Sequence, residues 1–260
     1  MSTPAERTVD VNGRPCRIWE KGEGRRIFWL GSGPMLLRWG PFHDAVAAKA
    51  RLVACSLPGY PGSEGHDILD DHISWCLAAR DLLDAAGFTQ GDVLMGSSTA
   101  GALAADVAAL WPEWVGSLVL VAPFGLYEEA DPTRDMFALH PRTAASMISA
   151  DAKAYAAQLA APEGVEPVLW NIGVVRANEA AARFLWPLGN TRINRRLNRV
   201  TAPTHLIWGE GDRIIPPSYA ARFASAIGAG ATVATISGAG HLAELDQPQA
   251  VADAALAFVG

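Results

Sequence analysis

The stretch VLMGSSTAGALAADVAAL, residues 93–110, decides the fold, because an apolar run meets an alanine-rich run at two adjacent serines. The apolar run has the composition of a buried β-strand, and the alanine-rich run favours an α-helix. A strand that passes directly into a helix is typical of α/β proteins, whose ligands bind beyond the carboxyl ends of parallel strands. The turn at the serines is therefore the first candidate for a functional site.

The two serines differ in their neighbours. Gly96 and Ala100 stand two positions before and two positions after Ser98, so small side chains flank this serine on both sides. A nucleophile on a tight strand-to-helix turn adopts a strained backbone conformation in which larger neighbours collide. Ser97 lacks this arrangement, since the residue two positions before it is Met95. The pattern therefore selects Ser98 as the candidate nucleophile.

The rest of the chain alternates short apolar runs with helical patterns, which predicts an α/β fold with a parallel sheet covered on both faces. An antiparallel pair of strands is expected to precede it, because Asn12 and Gly13 form a hairpin-turn dipeptide between alternating runs. The strands are predicted at residues 26–30, 51–55, 92–96, 117–122, 204–208 and 232–237. The helices are predicted at residues 42–50, 71–87, 99–111, 217–229 and 248–259.

One interval, residues 127–199, breaks this alternation, since it contains helical patterns and no clear strand. We interpret it as a helical insertion into a core formed by residues 1–126 and 200–260. Its apolar side chains exceed the needs of an exposed linker, so we expect them to pack onto the sheet and cover a cleft. These side chains are Met136, Phe137, Leu169, Trp170, Phe184, Leu185 and Trp186.

Composition excludes several classes of protein. The net charge is −6, and the one short basic stretch, residues 194–199, resembles a solvated helix face, so no nucleic-acid partner is expected. The sequence shows neither a secretory leader pattern nor an uninterrupted apolar run of about 18 residues, so we expect no membrane span. Three widely spaced cysteines favour free thiols in the cytoplasm over disulfides or a metal site.

A serine nucleophile needs a base, and the base needs a group that orients it. His241 lies in a glycine-rich loop just after the last predicted strand, and Asp212 directly follows the strand before it. Both should therefore lie at the edge of the sheet that holds Ser98. The other histidines fall in helical patterns, polar loops or a strand, where ordinary surface or core roles are expected: His43, His66, His72, His140 and His205.

Four segments of the chain resemble the α/β-hydrolase fold, and the order Ser98, Asp212, His241 is the order of that family's triad. The resemblance implies an eight-stranded, mostly parallel sheet, a helical cap between strands six and seven, and neither a metal nor an organic cofactor. The matching segments are GSSTAG (96–101), LPGYPGSEG (57–65), APTHLIWGEGDRIIPP (202–217) and SGAGHLAELDQPQAVADAALAFV (237–259).

The resemblance also implies an oxyanion hole made by two backbone amides, here the N–H of Ser32 and the N–H of Thr99. The chain departs from the family at the first of these positions. Relatives usually carry His-Gly after the third strand, whereas this chain has Leu30 followed by Gly31. A second departure is Ser56, where relatives often carry Asp, and we assign it no catalytic role.

These observations predict a serine hydrolase that acts on a small, fairly hydrophobic carboxylic ester without a cofactor. A carbon–carbon hydrolase acting on vinylogous diketones is an alternative, although such relatives usually place Trp where this chain has Leu242 and Asn where it has Ser97. A non-catalytic protein that binds a small ligand is another. Thioesters and lactones stay open as substrates, as does the oligomeric state. The candidate pocket residues are Leu30, Phe137, Trp170, Trp186 and Leu242.

Overall fold

A single sheet organises the protein, whose computed structural model describes residues 3–31, 38–187 and 189–260. Within these ranges the sheet has eight strands, which lie in the order β1-β2-β4-β3-β5-β6-β7-β8 once numbered along the chain. The strands are β1 (Ala5–Val11), β2 (Arg14–Lys21), β3 (Arg26–Leu30), β4 (Arg51–Cys55), β5 (Val93–Ser97), β6 (Ser117–Val121), β7 (Thr204–Gly209) and β8 (Ala231–Ile236).

Strand direction follows the predicted pattern. β1 and β2 form an antiparallel hairpin whose turn residues, Asn12 and Gly13, have φ values of 54° and 82°, as the favoured two-residue hairpin turns require. β2 also runs antiparallel to β4, whereas the pairs from β3 to β8 are parallel. All residues of β5 and β6 are buried, because both faces of this part of the sheet are covered.

Helices cover both faces of the sheet, as two consecutive residues of β3 demonstrate. Side chains of successive strand residues point to opposite faces. The ring of Phe28 lies 4.9 Å from that of Phe88, just after α2, whereas the ring of Trp29 lies 4.9 Å from that of Phe42 in α1. The helices are α1 (Pro41–Ala47), α2 (His72–Ala86), α3 (Ser98–Leu110), α4 (Pro141–Ile148), α5 (Ala152–Leu159), α6 (Pro167–Leu185), α7 (Ser218–Ile227), α8 (Ala243–Asp246) and α9 (Pro248–Val259).

The fold therefore confirms the predicted α/β class and the mostly parallel eight-stranded sheet. Local signals fix where the elements begin and end, and α2 is an example. The Asp71 side chain accepts a hydrogen bond from the Ser74 N–H at its start, and Gly87 ends it with a φ of 95°. Asp71 is an N-cap and Gly87 a C-cap, and these signals explain why both boundaries of the helix could be predicted to within one residue.

The chain between β6 and β7, residues 122–203, contains α4, α5 and α6 together with three short 3₁₀ helices; we call it the helical segment. Three alanines, followed by Phe184 and Leu185, form the face of α6 that packs against the rest of the protein. The buried residues of this helix are Ala177, Ala180, Ala181, Phe184 and Leu185. No strand is assigned between residues 122 and 203 among those described.

The expectation that the large apolar residues of this segment pack onto the sheet is wrong for Leu169 and Trp186. Leu169 is 68% exposed and Trp186 is 64% exposed. Leu169 lies in the first turn of α6, before the buried positions begin, and Trp186 follows the last helical residue. The alanines of α6 allow close packing, so the large side chains outside that face are left in solvent.

The cysteines agree with one further expectation. Cys16, Cys55 and Cys76 are buried and free, as predicted from their odd number and wide spacing. Within the described ranges, no helix combines the length and the apolar character that a membrane crossing requires.

Candidate active site

Ser98 occupies the turn between β5 and α3, and its backbone has the strained conformation that the sequence predicts. Its φ is +49°, in the left-handed region that residues other than glycine rarely adopt. A Cβ atom on Gly96 would lie 2.6 Å from the Cβ of Ala104 and 3.0 Å from the Cα of Gly101. The small residues around Ser98 are therefore required because the turn packs directly against the first turns of α3.

The structure brings Ser98, His241 and Asp212 together at the carboxyl edge of the sheet. Ser98 Oγ lies 2.8 Å from His241 Nε2, and His241 Nδ1 lies 2.9 Å from Asp212 Oδ2. The three residues are 1%, 1% and 6% exposed, respectively. A serine, an imidazole and a carboxylate in this sequence of hydrogen bonds can activate the hydroxyl for attack on a carbonyl.

The carboxylate of Asp212 is held by the loop that follows β7. Its Oδ1 accepts hydrogen bonds from the backbone N–H groups of Ile214 and Ile215, at 2.8 and 2.9 Å, which leaves Oδ2 for the histidine. The His241 ring lies edge-on to the ring of Phe124, with 5.5 Å between the ring centroids. These contacts orient the imidazole before any substrate is bound.

Of the two predicted oxyanion donors, the structure describes Thr99 but not Ser32. Thr99 is the second residue of α3, where backbone N–H groups have no partner within the helix. Its amide therefore faces the space in front of the helix, and the helix dipole favours negative charge there. Ser32 lies outside the described residues. Leu30 is paired with Gly96 in the sheet, so the chain that follows β3 begins beside the nucleophile turn.

A model of the alpha/beta hydrolase family matches residues 24–254 of this sequence. The chain belongs to this family. It is 30% identical to the dihydrolipoyllysine-residue acetyltransferase component of the acetoin cleaving system from Pseudomonas putida, over 98% of this chain and 70% of that protein. It is 26% identical to the 2-hydroxy-6-oxo-6-phenylhexa-2,4-dienoate hydrolase of Comamonas testosteroni, over 88% of this chain and 85% of that protein.

Solved structures of other proteins have the same fold as this alpha/beta hydrolase. The naproxen esterase of Bacillus subtilis superposes with a TM-score of 0.74 at 17% identity, over 99% of this chain and 92% of that chain. A 2-hydroxy-6-oxo-6-phenylhexa-2,4-dienoate hydrolase from Rhodococcus superposes with a TM-score of 0.78 at 16% identity, over 99% of both chains. At such low identity the likeness concerns the fold alone.

The five candidate pocket residues of this alpha/beta hydrolase differ in their surroundings. Leu30 and Leu242 are fully buried, at the end of β3 and next to His241, respectively. Phe137 is half-buried and packs against the core. Trp170 is half-buried and donates a hydrogen bond to the carbonyl of Leu159. Trp186 is exposed, as described above, so it is the weakest of the five pocket assignments.

Sequence reasoning missed Glu244 and its contact with Ser97. The Ser97 hydroxyl donates a hydrogen bond to Oε1 of Glu244, a residue that is 1% exposed and lies three positions after His241. Burial raises the pKa of Glu244 to about 7, against the smaller opposing effects of the Ser97 hydrogen bond and of His241. The available signal in the sequence was the acidic residue in HLAEL, just after the glycine-rich loop.

Among the described residues, one cluster away from Ser98 has side chains of the types that bind metals. The ligand atoms of His72, Cys76 and Asp106 lie within 4.8 Å of one another. However, His72 Nε2 is already 2.7 Å from Asp106 Oδ2, and Arg196 Nε donates to Asp106 Oδ1 at 2.5 Å. The buried carboxylate is thus paired with Arg196 and hydrogen-bonded to His72, contacts that link α2, α3 and the end of the helical segment, and we interpret the cluster as structural.

Proposed function

We propose that the chain is a serine hydrolase that cleaves a small, fairly hydrophobic carboxylic ester through an acyl-enzyme. The observation that carries the proposal is the continuous series of hydrogen bonds from Ser98 through His241 to Asp212. Its position on a strained turn after β5 supports the same role, because such a turn presents the serine side chain at the carboxyl end of the strand.

In the first half of the reaction, Ser98 Oγ forms a bond to the acyl carbon of the ester while His241 Nε2 takes the hydroxyl proton. Asp212 holds the imidazole in the required tautomer and stabilises the imidazolium that forms. The backbone amide of Thr99, with that of Ser32 as the second donor, stabilises the negative charge on the carbonyl oxygen. The bond to the alcohol then breaks, and the alcohol leaves with the proton from His241.

In the second half, His241 takes a proton from water, and the water oxygen forms a bond to the acyl carbon. The bond to Ser98 Oγ breaks, and His241 returns the proton to the serine. The products are a carboxylic acid and the free enzyme. The helical segment serves as the cap in this proposal, with residues 127–199 as the inserted part, and its apolar side chains favour a hydrophobic acyl or alcohol group.

A carbon–carbon hydrolase is the second candidate, because curated relatives include hydrolases of that class. The same triad would serve it. Leu242 and Ser97 argue against this assignment, since carbon–carbon hydrolases with this triad usually carry Trp and Asn at these two positions. Esterase activity is favoured accordingly, and a monoacylglycerol lipase is among the similar proteins.

Labelling with a fluorophosphonate probe tests the proposal. We expect covalent labelling of the wild-type protein and of Ser97→Ala, and none of Ser98→Ala, because only Ser98 is paired with His241. Ser97→Ala is the matched control, since it removes a neighbouring hydroxyl of the same kind. An unlabelled wild-type protein would contradict the proposal and favour the non-catalytic binding protein.

A substrate panel separates the two catalytic candidates. p-Nitrophenyl esters from acetate to laurate are compared with a vinylogous diketone at equal enzyme concentration. We expect turnover of short or medium esters that is abolished in His241→Ala. Greater kcat/KM on the diketone than on every ester would overturn the esterase assignment and leave the hydrolase assignment in place.

A further inference from the structure

Ser97 stands at the N-cap position of α3, yet it does not cap the helix. Its backbone is extended, with φ −127° and ψ 150°, and its side chain makes no capping hydrogen bond. A serine at this position ordinarily accepts a hydrogen bond from the N–H of the second or third helical residue. In α3 those residues are Thr99 and Ala100.

The Ser97 hydroxyl instead forms a hydrogen bond with a carboxyl group that is distant in the sequence. It donates to Oε1 of Glu244, which belongs to α8 and is separated from it by 147 residues. Glu244 is 1% exposed, and its Oε2 has no hydrogen-bond partner among the described residues. A buried carboxyl with one of its two oxygens unsatisfied costs free energy, so its presence calls for a functional explanation.

The position of the hydroxyl matters because Thr99 supplies an amide to the proposed oxyanion hole. A serine oxygen that accepted from that amide would compete with the substrate for the same N–H. We propose that Glu244 is a positioning residue that holds the Ser97 hydroxyl away from the amides of α3. The Thr99 N–H is thereby left open for the oxyanion. This inference rests on the proposed function.

The role requires an acceptor and not a charge, because both the ionised carboxylate and the neutral acid offer Oε1 to the hydroxyl. The charged and titratable groups around Glu244 include His241, which precedes α8, Asp246 in the same helix, and His43 and Asp44 in α1, which packs against α8. Glu244→Gln keeps an acceptor at this point, whereas Glu244→Ala and Glu244→Met remove it.

The test compares four variants with the wild type: Glu244→Gln, Glu244→Met, Ser97→Ala and the double variant Ser97→Ala with Glu244→Met. Two rates are measured, inactivation by a fluorophosphonate and kcat on p-nitrophenyl butyrate. Glu244→Met should lower both by about 10-fold or more with KM little changed, since loss of one oxyanion donor costs about 10²-fold to 10³-fold. Glu244→Gln and Ser97→Ala should stay within about 3-fold of the wild type, a difference of less than 1 kcal/mol in activation free energy.

The double variant decides between positioning and a merely structural contact. Without the Ser97 hydroxyl nothing competes for the Thr99 amide, so the double variant should regain the rates of Ser97→Ala. An unchanged rate in Glu244→Met, or a double variant as slow as Glu244→Met, would overturn the inference. Near-ultraviolet circular dichroism monitors folding, and Glu244→Ala replaces Glu244→Met if the methionine variant is not folded. A wild-type protein that the probe does not label contradicts the proposed function, and the inference with it.

Discussion

Ser97 and Ser98 are adjacent at the start of α3, yet their hydroxyl groups have different partners. Ser98 Oγ lies 2.8 Å from His241 Nε2, whereas Ser97 Oγ donates to Glu244. Both partners lie within residues 241–244, so one short piece of chain after β8 is joined to the nucleophile turn at two points. The doubled serine therefore ties the carboxyl-terminal part of the protein to the central strand β5.

Replacing the triad carboxylate should abolish catalysis without unfolding the protein. In Asp212→Asn we expect kcat to fall by up to about 10⁴-fold, because the amide holds the imidazole in the wrong tautomer. Glu210→Gln is the matched control, since Glu210 belongs to the same loop but bonds to Ser237 at the surface. Ester hydrolysis by both variants provides the measurement, and an Asp212→Asn enzyme with wild-type kcat would exclude Asp212 from the triad.

Two glycine substitutions should change stability in opposite directions. Gly96→Ala places a methyl group 2.6 Å from the Cβ of Ala104, and such overpacking costs about 1–3 kcal/mol. Gly173→Ala, in the middle of α6, meets no atom within 4 Å, so it should stabilise the protein by roughly 0.5–1 kcal/mol through backbone entropy. Urea unfolding measures both. Equal midpoints for Gly96→Ala and the wild type would mean that the turn is not tightly packed.

Removal of Arg196 should destabilise the protein strongly. Asp106 is fully buried, and its carboxylate is shared between Arg196 and His72. We expect Arg196→Met to cost about 3 kcal/mol in urea unfolding, because it leaves a buried carboxylate with only one partner.

Lys49→Met is the control for that experiment, since Lys49 pairs with Asp253 at 3.4 Å with both side chains more than half exposed. Its loss should cost less than about 1 kcal/mol. Similar costs for Arg196→Met and Lys49→Met would show that burial of Asp106 does not govern the strength of its ion pair.

The buried carboxyl of Glu244 should make stability depend on pH. Its pKa is raised by burial from 4.5 to about 7, so the folded protein binds a proton more tightly than the unfolded chain. The free energy of unfolding therefore falls as pH rises from about 4.5 to about 7, by at most about 3 kcal/mol from this group. The free energy of unfolding of Glu244→Gln minus that of the wild type should therefore be larger at pH 8 than at pH 5.

Urea unfolding at the two pH values provides the measurement, with Glu129→Gln as a control for the same substitution at an exposed site. A stability difference between Glu244→Gln and the wild type that is the same at pH 5 and pH 8 would contradict this prediction.

Sequence reasoning located the strands, the nucleophile turn and the positions of Asp212 and His241, because each depends on short-range patterns. Alternation of strands and helices fixes which loops share the carboxyl edge, and small neighbours identify Ser98. Glu244 was missed because its bond to Ser97 spans 147 residues. Trp186 was misplaced because hydrophobicity alone does not indicate which side of a helix end faces solvent.

The distance along the chain between the triad residues has a consequence for folding. The hydrogen bond from Ser98 to His241 closes a loop of 143 residues, and the two residues follow β5 and β8, which β6 and β7 separate in the sheet. We therefore expect reactivity of the serine to return late in refolding, after circular dichroism has recovered most of the helical signal, because contacts distant in sequence form slowly.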